Sequence, residues 1–158
     1  MGKEDLSADI RIDKDGIWYY RGMEMFRKDI VNLLYRHIKQ DEDGKYLVEY
    51  EGKRSYLEVE DTPFIVKSIY LSHNEDRDSI DLIMPDGSRE VLDPATLRVG
   101  ADDILYGTIL GSGIEARFSR TSYYQLAELI EQEPGQDKYY ICLSGNRYYI
   151  NQGINRIR

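Results

Sequence analysis

Few side chains in this chain have the type and spacing to do chemistry. Arg27 and Arg120 each stand in the first turn of a predicted helix, where the helix macrodipole disfavours a cation. A guanidinium placed there twice implies a fixed anionic partner for each. That partner can be a carboxylate such as Glu60, Asp61 or Glu115, tying strand to helix. It can equally be an anionic ligand held between two halves of the chain, with Arg117 as a further contributor.

The other candidates point more weakly to a site. Glu60 and Asp61 are adjacent, so on a continuing strand they face opposite ways and cannot serve one substrate atom as acid and base. The alternative is a strand end at which Asp61 turns the chain into Thr62-Pro63. His37 and His73 are the only two histidines and Cys142 the only cysteine, which leaves no ligand spacing for zinc. The glycine-rich run Gly107–Gly113 has no lysine after it and no strand–glycine–helix order, so it reads as a hairpin turn and not as a phosphate loop. Ser112 lacks the G-x-S-x-G setting of a nucleophile. Fourteen tyrosines against three phenylalanines and one tryptophan could form a stacking surface, but tyrosine is also what half-buried strands favour.

Period-two and helical patterns supply the elements that must position these groups. Ile10 and Ile12 alternate with charges, and Asp15-Gly16 turns the chain into a strand over Ile17–Tyr20. Ile30, Val31, Leu33, Leu34 and Ile38 mark one face of a helix from Arg27 to about Lys39. Two strands around Tyr46–Tyr50 and Leu57–Val59 follow, joined at Glu51-Gly52. Phe64–Leu71 reads as one apolar strand, and Ile80–Met84 with Arg89–Leu92 as a hairpin through Pro85-Asp86-Gly87. The remainder predicts strands over Ile104–Leu110 and Ile114–Phe118. A helix follows from Arg120 to Gln132, with Tyr123, Leu126, Ala127 and Ile130 as its buried stripe. A last hairpin runs through Ser144-Gly145-Asn146.

The chain also meets a partial copy of itself when shifted by 93 positions. Seven of the 31 residues from Arg27 to Leu57 are then identical, among them Arg27 with Arg120, Tyr46 with Tyr139 and Tyr56 with Tyr149. Ordinary composition gives about two. The predicted fold class is therefore α+β, two repeated strand–strand–helix–hairpin units with antiparallel sheets. The predicted division is an N-terminal half over 1–93 with an extra β-meander, a connector over 94–103, and a C-terminal half over 104–158.

Composition limits the function. Hydrophobic residues at 41% and charged residues at 32% suit a globular chain. Twenty-nine acidic against 21 basic residues give a net charge of −8, which argues against duplex nucleic acid as a partner, the only weak basic cluster being Arg156 and Arg158. The lone cysteine suits a reducing compartment. The first nine residues are charged and no stretch approaches a membrane span, so neither a secretory signal nor a membrane partner is expected. Cytoplasmic placement is the expectation.

Several runs carry a family resemblance. They are Gly16-Ile17-Trp18-Tyr19, Gly22, Arg27, Gly44-Lys45-Tyr46-Leu47-Val48 and Leu57-Glu58-Val59-Glu60-Asp61-Thr62-Pro63-Phe64, then Gly113–Arg120. Across about residues 10–150 the chain resembles the bacterial family of domains of unknown function numbered 1285. It departs from that pattern at Glu49-Tyr50-Glu51-Gly52 and at Asp93-Pro94. The resemblance implies two related halves, the later loosely like a pleckstrin-homology module, and no established activity. The expected function is a non-catalytic, regulatory binding module for a small, possibly anionic ligand or a protein partner. The candidate site is the cleft between the halves, formed by Arg27, Glu60, Asp61, Glu115, Arg117 and Arg120. No cofactor and no metal are expected. An enzyme with an unrecognised site in that cleft, or a purely structural interaction domain, is the alternative.

Overall fold

The computed structural model describes residues 9–152; Arg156 and Arg158 lie outside them. The chain forms two compact units, Met1–Pro63 and Phe64–Arg158. The first contains β1 (Ile10–Ile12), β2 (Trp18–Tyr20), β3 (Met23–Glu24), helix α1 (Lys28–Tyr35), β4 (Ile38–Gln40), β5 (Tyr46–Tyr50) and β6 (Lys53–Val59). They make one sheet in the order β3-β2-β1-β6-β5-β4. Ile12, Trp18, Leu47, Val48 and Leu57 are buried in it. Two aspartates fix its turns in the same way. Asp13 Oδ1 accepts the N–H groups of Asp15 and Ile17, and its Oδ2 the Tyr19 hydroxyl (3.1 Å). Asp41 Oδ1 accepts those of Asp43 and Lys45, and its Oδ2 the Tyr56 hydroxyl (3.1 Å). Gly16 and Gly44 supply the positive φ that both turns require.

The second unit contains β7 (Phe64–Val66), β8 (Ser68–His73), β9 (Asp78–Ile83), β10 (Arg89–Val99), β11 (Leu105–Ile109), β12 (Glu115–Phe118), helix α2 (Arg120–Ala127), β13 (Glu131–Gln132), β14 (Tyr139–Leu143) and β15 (Asn146–Tyr149). One sheet runs β7-β12-β11-β10-β9-β8 and a second β13-β14-β15. A parallel bridge between Arg98 and Asn151 joins them.

The fold is mixed α and β, mostly strand, and it departs from the expected elements in four places. The sheets are not wholly antiparallel, because β1 pairs β6 and β7 pairs β12 in parallel. Each of those pairs is connected through a long excursion that includes a helix or hairpins, which parallel pairing needs. Both helices stop early. The His37 N–H turns back to the Leu34 carbonyl (2.9 Å), and Ile38 is buried in β4 opposite Val48, so the i+8 residue of the apparent helical stripe belongs to a strand. The apolar run 64–71 breaks at Lys67, whose N–H donates to the Ile83 carbonyl (2.8 Å). Residues on either side then serve different strand partners.

The fourth departure concerns the expected connector. Residues 94–99 lie within the 11-residue β10, and the division between compact units falls at 63/64. Pro94 is accommodated because the β10–β11 register shifts between Asp93 and Arg98. The Thr96 hydroxyl fills the gap, accepting the Thr108 N–H (2.8 Å) and donating to the Asp93 carbonyl (2.6 Å). A proline can therefore stand inside the strand without an orphaned ladder partner.

The first unit and the later part of the second have similar element orders. β1 to β6 with α1 read strand, strand, strand, helix, strand, strand, strand; β10 to β15 with α2 read the same apart from a 3-10 turn at Ala101–Asp103 after β10, and β7 to β9 precede them. In the first, β6 runs parallel to β1 with Arg11 opposite Glu58; in the second, only an isolated parallel bridge, between Arg98 and Asn151 beyond the end of β15, meets β10. Arg11 stacks on its cross-strand partner Tyr19 at 4.5 Å, and Arg98 on Tyr106 at 4.3 Å. Glu51-Gly52 and Ser144-Gly145 make hairpins with the same positive φ values, 52° and 80°. The Tyr149 hydroxyl donates to Glu133 (3.0 Å) as that of Tyr56 does to Asp41. The register, however, is not the uniform 93 of the sequence comparison. The N-cap residue of α1 is Arg27 and that of α2 is Ser119, not the Arg120 that a shift of 93 aligns with Arg27. One extra residue in the β13–β14 turn restores the shift of 93 for the hairpin.

Candidate functional site

A groove of about 570 Å³ opens in the second unit, where the end of β10, helix α2 and the β13–β15 sheet meet. Its first wall is the β10–β11 corner, with Val99, Asp103 and Leu105. Asp102 and Asp103 both hold φ near +60°, a conformation that aspartate tolerates better than most residues but rarely adopts twice in succession. Hydrogen bonds enclose the turn, from Gly100 N–H to the Ile104 carbonyl (2.7 Å) and from Ile104 N–H to that of Ala101 (3.2 Å).

A layer of side chains supports this corner. Arg98 donates Nε and Nη2 to the two oxygens of Glu115 (2.6 and 2.7 Å) and lies over the Tyr106 ring. Gly100 stands against that stack. A Cβ on it would come within 2.9 Å of the Tyr106 ring and 3.1 Å of Arg98 Nη1, so glycine here is a matter of space.

The second wall comes from α2. Ser119 caps it, its hydroxyl oxygen accepting the Ser122 N–H (3.2 Å). Ser122 is fully buried because its hydroxyl donates to the Val66 carbonyl (3.1 Å). These bonds, with Leu126 wholly buried, fix the rotation of the helix. Tyr123, Ala127 and Ile130 therefore face the groove. The third wall is Gln132, Tyr139, Ile150 and Gln152. Val99 N–H donates to the Asn151 carbonyl (2.8 Å), and Asn151 N–H to that of Leu97 (2.9 Å), which holds this wall to β10.

The first unit has a groove of its own, about 660 Å³, lined by Tyr46, Tyr56 and Leu57 with Asp41, Lys45 and Glu58. The sequence shift of 93 aligns Tyr46 with Tyr139 and Leu57 with Ile150.

None of the six residues expected to form the site lines either groove. In the first unit, Arg27 makes a bidentate pair with Asp29 (3.0 and 2.8 Å), both well exposed. That bond first, and the guanidinium charge with it, holds the Asp29 carboxyl below its usual range. Glu60 accepts the Lys14 N–H (3.0 Å) and its own N–H donates to the Ile12 carbonyl (2.9 Å), locking β6 to the end of β1. Asp61 is half-buried beyond the end of β6. In the second unit, Glu115 is held by Arg98. Arg117 alternates with buried Ala116 and Phe118, and Arg120 is exposed at the start of α2.

The histidines take structural roles. His37 Nδ1 bonds the Leu33 carbonyl (2.8 Å) with its ring edge-on to Tyr50, and His73 Nδ1 bonds Asp78 (2.9 Å). Among the described residues no three His, Cys, Asp or Glu side chains are grouped to hold a metal ion. Nor is any described helix long and apolar enough to cross a membrane. Sequence reasoning took Tyr123, Ala127 and Ile130 for core. Their stripe was visible, but which of its residues meet core and which meet an opening depends on the buried serine, and a serine carries no apolar signal.

Residues 3–62 match the model described as "Domain of unknown function (DUF1285), N-terminal domain". No curated protein matches the chain. Among solved structures, a DUF1285 family protein from Silicibacter pomeroyi is similar with a TM-score of 0.75 and 21% identity, over 94% of this chain and 81% of that one. A DUF1285 family protein from Shewanella baltica is similar with a TM-score of 0.65 and 17% identity, over 77% of this chain and 91% of that one. At such identities the likeness carries the fold and no activity.

Proposed function

We propose that this chain, whose residues 3–62 match the N-terminal domain of the DUF1285 family, is a non-catalytic, cytoplasmic binding module for a small molecule. Its ligand site is the groove between β10, α2 and the β13–β15 sheet. The observation that supports this reading is the groove itself. Its volume of about 570 Å³ falls in the range of about 300–1,000 Å³ that suits small ligands, and apolar side chains, two tyrosines and the polar Asp103, Gln132 and Gln152 share its lining. The corner that forms one wall departs from relaxed backbone geometry at Asp102 and Asp103, as functional sites often do. A regulatory role follows for a module that binds without converting its ligand.

The two units are, on this reading, copies of one ancestral strand–strand–strand–helix–meander element, the second loosely like a pleckstrin-homology module. The shared Arg–Tyr stacks, tyrosine–carboxylate bonds and hairpin turns support common descent. The second copy alone carries the β7–β9 insertion and the strained corner, so the small-molecule site is assigned to it.

The test is a small-molecule screen by thermal shift on the whole chain and on Ala127→Phe, which fills the groove from α2. Compounds that raise the melting temperature of the wild type by several degrees are expected to lose that effect in the variant, whose own melting temperature stays close to the parent's. Hits that persist undiminished in a folded Ala127→Phe protein would place the ligand elsewhere.

A further inference from the structure

We propose that this groove takes an uncharged, flat aromatic ring that carries an N–H donor, an assignment that rests on the small-molecule reading above and names the ligand class. Among the described residues that line the groove there is no lysine, arginine or histidine. An anion would therefore lose its hydration there and meet no counter-charge. The one carboxylate of the lining, Asp103, already interacts with another group of the protein, and a cation would have to compete for it. The rest of the described lining is aliphatic, tyrosine or glutamine. A neutral ligand suits such walls.

Shape and hydrogen bonding follow from where the neutral groups stand. Gln132 and Tyr139 are directly opposite each other on β13 and β14, so their side chains leave the sheet side by side on one face. Gln132 donates its amide nitrogen to the Gln136 carbonyl (2.8 Å), which orients the amide and leaves its oxygen to accept. A ring laid on Tyr139 brings a donor on its edge to that oxygen. Tyr123 stands on the α2 wall, its ring beside that of Tyr124 at 5.5 Å with the planes tilted by 60°. It offers a second aromatic surface, and aromatic rings gain from offset or edge-to-face contact. Between the tyrosines the walls are Val99, Leu105, Ile130 and Ile150, which disfavours a sugar or other polyol, because its hydroxyls would be covered without partners.

Five probes of nearly equal size separate these properties. Benzamide is neutral and flat with an N–H donor, acetophenone lacks the donor, and cyclohexanecarboxamide lacks the flat ring; benzoate and benzamidinium are the two ions. Each is titrated into the isotopically labelled whole chain at pH 7, and amide shifts of residues 99–105, 123–132 and 139 are followed. Benzamide is expected to bind about tenfold more tightly than either ion, and its affinity to be insensitive to added salt. Acetophenone and cyclohexanecarboxamide are expected to bind severalfold more weakly than benzamide. Gln132→Leu is expected to reduce benzamide to the affinity of acetophenone and to leave acetophenone unchanged. Any other probe that matches benzamide on the wild type, or an undiminished benzamide preference in Gln132→Leu, would overturn the neutral donor ring while leaving the groove as the ligand site. No perturbation of these amides by any probe would overturn both.

Discussion

At the scale of single residues, the arginines divide by what they touch. Arg27 is well exposed and pairs with a neighbour two positions away, and such surface pairs contribute about 0–1 kcal/mol. Arg98 is a bidentate partner of half-buried Glu115 and a stacked partner of Tyr106 at once. Arg98→Ala is therefore expected to cost about 1–3 kcal/mol and Arg27→Ala almost nothing, measured by urea unfolding. Identical midpoints for the two variants would show that the β10–β11 corner does not depend on this layer. Sequence reasoning had no means of ranking them, since Arg98 sat in what read as a connector while Arg27 stood at a helix start.

Titration provides a second test at this scale. The Asp41 carboxyl is held below its usual range, first by the Lys45 N–H, then by the Tyr56 hydroxyl and Asp43 N–H against an opposing effect of desolvation. A carboxyl lowered in the folded state contributes stability that is complete above its unfolded value of about 3.9 and is lost as pH falls through its folded value. Asp41→Asn is accordingly expected to be less stable than wild type at pH 7, with the difference shrinking as both approach pH 3. A gap that stays constant across that range would mean that the charge of Asp41 contributes nothing.

At the scale of elements, β11 shows how a packing constraint hides in a sequence. Gly107 lay in a glycine-rich run that read as strand passing into a hairpin turn. It is buried in mid-strand, where a Cβ would stand 2.6 Å from Leu92 Cδ1 and 3.3 Å from Leu97 Cδ2. Gly107→Val is expected to destabilise the second unit by about 1–3 kcal/mol through overpacking, read as a lower urea midpoint. A neutral result would mean that Leu92 has room to rotate away. The strands themselves were largely legible, because Ile10–Ile12, Tyr139–Leu143 and the Glu115–Phe118 alternation follow the period of two. What was not legible is pairing. Nothing local in Phe64–Leu71 says that Lys67 divides it between β12 and β9, and Ile38 carries the same apolar signal on a helix face as in a strand.

At the scale of the whole molecule, the decisive question is where one folding unit ends. The acidic, proline-bearing stretch 93–103 has the composition of a connector, whereas the division at 63/64 is marked in the sequence only by Pro63. The difference has a physical consequence. A fragment of residues 1–63 keeps every strand of the β3-β2-β1-β6-β5-β4 sheet. At that size it buries about 60% of its unfolded surface, which is marginal but sufficient in many domains. A fragment of residues 1–93 adds β7 without its partner β12 and cuts β10 short without its partner β11. It also leaves Ile80, Leu82, Met84 and Leu92, all at most 1% exposed in the whole chain, without the strand that completes their sheet. Unpaired edges and exposed apolar side chains of this kind drive association. The shorter fragment is therefore expected to be monodisperse with a cooperative, if low, thermal transition, and the longer one to aggregate or to show its added 30 residues as unprotected in hydrogen exchange. A soluble, fully protected 1–93 fragment beside an unfolded 1–63 fragment would return the boundary to the acidic stretch.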